Sequence, residues 1–216
     1  FAINSNKYGA KVISVLHNSP LASIMHFSSS KKDRFQKYKL DFLLPLTDRL
    51  WVKNILLWSY KLKYQAHFKR LCKSSNRVVL LSHNFINELY FFIGKDSFVK
   101  KITAISNPCS FPLQNDIDLS NKEKTLLYVG RIAFGQKRVD TLIQIWSKLY
   151  KDFPDWRLMV VGDGPDLEKA KKISKNLGCK RISFEGMQKP ESYYERATIF
   201  CMTSSYEGFG LVLVEA

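Results

Sequence analysis

Two carboxylates and two cations are the most chemically loaded positions in this chain. Glu207 and Glu215 flank Gly208-Phe209-Gly210-Leu211, and Thr203-Ser204-Ser205 precedes them. The glycines open a predicted helix, with Glu215 about two turns in and facing back toward the loop that carries Glu207. A helix start offers unpaired N–H groups and the positive end of the backbone dipole, so the amides around residues 208–211 suit a phosphate. Arg131 directly follows Val129-Gly130, and Lys137 comes shortly after it. A guanidinium gives a forked contact and an ammonium a point charge, so this pair suits a diphosphate.

These residues need elements to bring them together, and the second half of the chain supplies a regular alternation. Strands are predicted at 125–129, 157–161, 181–184 and 199–202, and helices at 138–150, 166–177 and 191–197. Gly162-Asp163-Gly164-Pro165 reads as a tight turn of structural origin. Strand and helix alternating in this way predict a parallel, doubly wound α/β sheet with ligands at the carboxyl ends of its strands.

The first half repeats the logic less regularly. Lys11-Val12-Ile13-Ser14-Val15-Leu16 reads as a buried strand that delivers His17-Asn18-Ser19-Pro20 to a strand end, where chemistry would be placed. Further strands are expected at 77–81 and 101–105, with a helix at 83–93 capped by Ser82 and ended by Gly94. A polar, aperiodic stretch at 108–124 is the expected linker between domains 1–107 and 125–216.

Composition narrows the partners. The 216 residues, 45% apolar and 13% aromatic, are enough for one large or two small cores. Residues 1–107 hold 18 Lys+Arg against five Asp+Glu, and residues 31–77 hold 13 against Asp33, Asp41 and Asp48. Such asymmetry implies an anionic partner. Nucleic acid is not expected, because clustered arginines interleaved with aromatics are missing. Within the basic stretch, apolar positions 51, 52, 55, 58, 62 and 66 have helical spacing and are flanked by Lys53, Lys61, Lys63, Lys69 and Arg70. Two readings stay open: a helix packed on the core with a solvated basic face, or one lying on an anionic membrane surface. Cys72, Cys109, Cys179 and Cys201 form no metal-ligand pattern and read as thiols in a reducing compartment. No metal is expected.

Five segments then coincide in order: Tyr128-Val129-Gly130-Arg131, Gln136-Lys137-Arg138-Val139-Asp140, Val160-Val161-Gly162-Asp163-Gly164-Pro165, Phe184-Glu185-Gly186, and residues 204–215. Together they resemble the nucleotide-binding half of glycosyltransferase family 4, the retaining, glycogen-synthase-like enzymes of GT-B fold. The resemblance covers about residues 125–216. It implies two Rossmann-like doubly wound domains, both incomplete in this chain, which reads as a fragment starting at Phe1 and stopping at Ala216.

The resemblance also implies roles. Arg131 and Lys137 would neutralise the diphosphate of a UDP- or GDP-sugar, and the amides of Gly208, Phe209, Gly210 and Leu211 would hold phosphate and sugar. Glu207 would meet the sugar hydroxyls, Glu215 the ribose, and Met187 and Gln188 the base. His17 would line the cleft beside the transferred sugar. The implied enzyme moves a sugar, with retention and without a metal or other cofactor, to a lipid-linked or polysaccharide acceptor. It would be cytoplasmic, peripheral on the inner face of the membrane. The alternatives are an epimerase or a phosphorylase of the same fold.

Overall fold

Short runs of β-branched and aliphatic residues, each leading into a polar or glycine-containing loop, form two parallel sheets in the computed structural model. The structure describes residues 9–25, 38–47, 49–95, 98–109, 111 and 119–216. Residues 31–37 and 48 of the basic stretch, and 110 and 112–118 of the expected linker, lie outside the described residues. The chain divides into two compact units, Phe1–Pro108 with Glu207–Phe209, and Cys109–Tyr206 with Gly210–Ala216.

In the first unit, β1 (Ile13–Leu16), β2 (Arg77–Leu80) and β3 (Ile102–Ala104) lie side by side in that order, all parallel. A 25-residue helix, α1 (Leu50–Ser74), leads into β2, and α2 (His83–Ile93) follows it. Ser82 caps α2 by accepting the Phe85 N–H, and Gly94 ends it at a φ of 89°. Lys101 Nζ donates to the Ser75 carbonyl at the far end of α1, where a cation meets the negative end of the helix dipole. The core is built from Phe68, Cys72, Val78, Leu80, Leu89, Phe92 and Ile93.

The structure bears on the two readings left open for α1. The side chains packed against this core are Tyr60, Tyr64, Phe68, Leu71 and Cys72. Trp51, Ile55, Trp58 and Leu62, which share helical spacing and would be the core face in the first reading, are all exposed. Both long sides of α1 carry apolar residues, so periodicity alone does not say which one packs.

The second unit orders its strands β6-β5-β4-β7, all parallel, from β4 (Glu123–Val129), β5 (Arg157–Val161), β6 (Ile182–Gly186) and β7 (Ala197–Phe200). Its helices are α3 (Phe134–Lys137), α4 (Val139–Leu149), α5 (Leu167–Asn176), α6 (Glu191–Arg196) and α7 (Leu211–Glu215). Val139, Leu142, Ile143 and Trp146, at helical spacing along α4, are buried against Tyr128, Leu158 and Val160 of the sheet. The buried Trp146 indole donates to the Lys180 carbonyl at 3.0 Å.

The details depart from the sequence reading at several points: the strand read as buried leaves Ile13 and Val15 exposed, β4 starts at Glu123 inside the expected linker, and β6 runs on to Gly186. The expected loop at 130–136 contains the single turn α3, which Gly135 at its middle conceals. The last strand starts at Ala197, two residues before the expected 199, because α6 stops at Arg196. Glu215 stands little more than one turn into α7 rather than two. No helix among the described residues is long and apolar enough to cross a membrane.

Candidate functional site

In the second unit the chain runs β4, β5, β6 toward one side of the sheet and then returns to place β7 beside β4. This reversal falls between β4 and β7. The loops leaving their carboxyl ends therefore flank the crevice where parallel α/β sheets take ligands. Arg131 is on the first of these loops, Lys137 ends α3, and residues 201–206 form the start of the second.

The first loop is locked to the end of β5. The Gly130 N–H donates to the Val161 carbonyl at 3.0 Å, and the Ile132 N–H to the Asp163 carbonyl at 2.8 Å. A Cβ on Gly162 would lie 2.0 Å from the Gly130 carbonyl oxygen, and one on Gly164 2.3 Å from that of Ile132. Only glycine fits at either position. The Gly-Asp-Gly-Pro turn thus works as the surface against which the Arg131 loop is pressed. Tyr128 Oη donates to the carbonyl of Arg131, an exposed residue, at 3.0 Å.

Asp166 joins this loop to α3. Its Oδ2 accepts the Phe134 N–H at 2.9 Å, filling the open start of the turn that ends in Lys137, while its own N–H donates to the Ile132 carbonyl. Burial pushes the Asp166 carboxyl up. The hydrogen bonds from Lys169 and the Phe134 amide, with the nearby Lys169 and Arg131 charges, more than offset this and leave it below the ordinary carboxylate value.

Beyond α3, Arg138 takes left-handed backbone angles, φ 53° and ψ 40°, which break the chain between α3 and α4. The carbonyls of Lys137 and Arg138 turn outward there, and Thr203 Oγ1 donates to both, at 3.1 and 3.0 Å. The Ser205 N–H donates to the Gln136 carbonyl at 2.8 Å, and Gln136 Nε2 to the Tyr206 carbonyl at 3.2 Å. Residues 136–138 and 203–206 are therefore laced together across the crevice. Ser204 Oγ is buried beside this lacing without a hydrogen-bond partner, as is Arg138 Nε, which lies 3.5 Å from Asp140 Oδ1.

Glu215 is held from below. Tyr194 Oη donates to Glu215 Oε2 at 3.2 Å, and the tyrosine ring is wedged edgewise between Phe111 and Phe200. Burial, followed by the Glu215 charge, raises the Tyr194 phenol well above its ordinary value, so it stays a donor at neutral pH.

Other sequence-predicted residues are placed as follows. Gly210 is buried and takes a φ of 72° where it opens α7, with Leu211 as the first helical residue. Met187 and Gln188 are exposed after β6, and Gln188 Nε2 donates to the Glu185 carbonyl at 3.4 Å. Glu207, Gly208 and Phe209 group with the first unit. There a Cβ on Gly208 would stand 2.3 Å from the carbonyl oxygen of His17, whose residue is exposed after β1. The His17 loop is itself fixed by Glu88, whose Oε2 accepts from Ser19 Oγ and from the Leu21 N–H.

A separate cavity of about 580 Å³ lies at the amino ends of β4, β5 and β6, away from these loops. Most of its charged groups are engaged by neighbours. Arg157 pairs with Glu123, Lys124 with Asp155, and Arg181 donates to backbone carbonyls. The chemistry-bearing groups of this unit gather at the opposite end of the sheet. Among the described residues no group of three His, Cys, Asp or Glu side chains could hold a metal ion.

Sequence reasoning gave no role to Asp166, Gln136, Thr203 or Tyr194. Asp166 reads in the sequence as an ordinary helix cap, but its side chain does not cap its own helix.

Residues 112–216 match the family model described as glycosyl transferases group 1. The amylovoran biosynthesis glycosyltransferase AmsD of Erwinia amylovora is 32% identical over 151 residues, which cover 66% of this chain and 40% of that protein. The lipopolysaccharide 1,6-galactosyltransferase of Salmonella typhimurium is 34% identical over 128 residues, covering 53% and 33%. The chain thus spans between a third and two fifths of the length of these relatives. Among solved structures, HepE of Anabaena in complex with UDP and glucose matches all of this chain over 52% of its own, with a TM-score of 0.61 and 15% identity. The fold is the α/β GT-B type.

Proposed function

We propose that this chain is part of a retaining glycosyltransferase of family 4, moving a sugar from a UDP- or GDP-sugar to a lipid-linked or polysaccharide acceptor. The observation that carries the reading is the lacing of residues 136–138 to 203–206 across the β4–β7 crevice. It fixes the turn bearing Lys137 to the loop that leads into Glu207 and the opening of α7. The relatives support the reading by their names, and HepE by the UDP and glucose it binds.

In this reading residues 1–107 form the acceptor-side domain and 125–216 the donor-side domain, joined by 108–124. Arg131 and Lys137 neutralise the diphosphate, and the amides of residues 208–211 bind phosphate and sugar. Glu215, steadied by Tyr194, takes the ribose hydroxyls; Glu207 takes the sugar hydroxyls, and His17 lies beside the transferred sugar. Met187 and Gln188 lie by the base. The buried Ser204 hydroxyl gains a partner when a donor is bound.

Transfer breaks the bond between the anomeric carbon and the diphosphate oxygen. The electron pair leaves with the diphosphate, and an acceptor oxygen forms the new bond as its proton departs. The main electrostatic demand is the negative charge growing on the leaving group, which Arg131, Lys137 and the α7 amides meet without a metal. Retention is compatible with front-face attack or with a transient covalent intermediate. The enzyme works on the cytoplasmic side, with the basic residues 31–77 facing an anionic membrane.

The test is calorimetric titration of the full-length protein with UDP, GDP and their sugars, followed by an assay of nucleoside diphosphate release. Release that requires an acceptor is the expected result. Failure of every nucleotide to bind, or turnover that needs no acceptor, refutes the assignment.

A further inference from the structure

We propose that Glu88 is a positioning residue for sugar transfer: its carboxylate clamps the loop after β1, so that the His17 carbonyl forms the seat of Gly208 and sets where Glu207 stands. The inference rests on the reading of Glu207 as the group that meets the sugar hydroxyls. It adds to that reading a residue that touches no substrate.

Glu88 is out of keeping with its surroundings. It is the one acidic residue between Asp48 and Asp96, and α2 holds no other Asp, Glu, Lys or Arg. Phe85 and Phe92 lie on the same side of the helix, three residues before it and four after, and both pack with the core, as does the adjacent Leu89. A half-buried carboxylate in such a position needs donors that satisfy it. Here the donors are the Ser19 hydroxyl and the Leu21 N–H, the latter at 3.0 Å, and both reach the same oxygen, Oε2. Ser19 Oγ also accepts from the Leu21 N–H at 3.2 Å, so the three groups close a triangle. Pro20, between them in sequence, is buried, and its ring fixes φ.

This bridge leaves little freedom to the two residues before it. Leu16 is held in register with Leu80 of β2, and Ser19 is held by Glu88. His17 and Asn18 are strung between these two fixed points. A Cβ on Gly208 would stand 2.3 Å from the His17 carbonyl oxygen and 2.9 Å from Asn18 Oδ1. The φ of Gly208 is not left-handed, so this close approach alone demands glycine there. Gly208 therefore rests on the stretch that Glu88 holds, and Glu207 is its neighbour in the chain. A reacting group misplaced by about an ångström costs on the order of 100-fold in rate. Arg131 and Lys137 sit on segments held by other bonds, from Tyr128, Asp166 and Thr203, so nucleotide affinity is expected to be spared.

The experiment is steady-state release of nucleoside diphosphate by the full-length protein, with the UDP- or GDP-sugar and the acceptor that support wild-type turnover. Affinity for UDP and GDP is measured alongside by calorimetry. Glu88→Asp keeps the charge and shortens the reach by one methylene, whereas Glu88→Gln keeps the reach and loses the charge. Glu88→Ala and Glu88→Asp are expected to lower kcat about 10- to 100-fold, with nucleotide Kd within about twofold of wild type. Glu88→Gln is expected to keep at least about a third of wild-type kcat, because its amide oxygen still accepts both hydrogen bonds. Adding Glu88→Ala to Glu207→Ala is expected to lower kcat no further, since the group being positioned is already gone.

Wild-type kcat in Glu88→Asp, a Gln variant as slow as the Ala variant, or a further loss in the Glu207→Ala background overturns the inference and leaves the proposed function standing. Nucleotide affinity that falls in step with kcat overturns it as well, because the disturbance is then general to the fold. If the wild-type protein releases no diphosphate from any donor, the function reading fails and this inference fails with it.

Discussion

Replacing Gly162 with alanine tests the interlock between β5 and the loop that carries Arg131. The Cβ would lie 2.0 Å from the Gly130 carbonyl oxygen and 2.9 Å from its carbon, at a backbone φ of +132°. Comfortable contact is about 3.5 Å, so the Gly130 backbone must retreat by more than an ångström. It cannot do so freely, since the Gly130 and Ile132 amides are both bonded to the β5 end. Backbone strain contributes about 1–3 kcal/mol, and relief of the overlap about as much again. A total near 4 kcal/mol lowers Tm by roughly 8–16 °C.

Gly178→Ala is the matched control. Its φ of +62° is also unfavourable for alanine, but no atom lies within 4 Å of the added carbon. It is expected to cost only about 1 kcal/mol. Differential scanning calorimetry reads both variants, and titration with UDP reads the consequence for Arg131, whose backbone the first variant displaces. UDP affinity is expected to fall at least about tenfold for Gly162→Ala and to stay unchanged for Gly178→Ala. Equal Tm losses in the two variants would refute the steric argument, because only the φ contribution would then be acting.

Arg131→Ala and Glu215→Ala are each expected to weaken donor binding about 10- to 100-fold by calorimetry, the value of a charge-assisted hydrogen bond. Glu207→Ala is expected chiefly to slow turnover in steady-state kinetics. Tyr194→Phe removes the Glu215 contact and is expected to weaken donor binding about tenfold; wild-type affinity in that variant would show that Glu215 needs no support. The Asp166 carboxyl titrates below its unfolded value, so its stabilisation is present above that value and lost as pH falls through the lowered one. Asp166→Asn should therefore melt earlier than wild type at pH 7, with the gap closing below about pH 4. Burial pushes the Cys72 thiol up to about 11, whereas Cys109 is exposed. Iodoacetamide at pH 8 should alkylate Cys109 and spare Cys72, as read by peptide mass mapping.

The parallel α/β sheets were legible because each strand is a short apolar run closed by glycine or a polar loop, and because the buried positions of α4 repeat at helical spacing. The orientation of α1 was not. Tyr60, Tyr64, Phe68 and Leu71 on one side and Trp51, Ile55, Trp58 and Leu62 on the other give no contrast to read. In the candidate site, Arg131, Lys137, Glu207 and Glu215 stand out as charged residues beside glycine or at strand ends, which is a local signal. What holds the loops is not local. Asp166 reaches Phe134 across 32 residues, Thr203 reaches Lys137 across 66, and Gln136 reaches Tyr206 across 70. Such partners emerge only when the strand order brings β5 and β7 to the two sides of β4.

Two of the stitches between residues 136–138 and 203–206 engage main-chain atoms at 205 and 206, and neither depends on the side chain at 205. The loop's course and its chemical lettering are thus separable at that position. A library randomised at Ser205 should yield folded proteins at high frequency. Randomising Thr203, whose hydroxyl is itself a stitch, should instead unpick the seam.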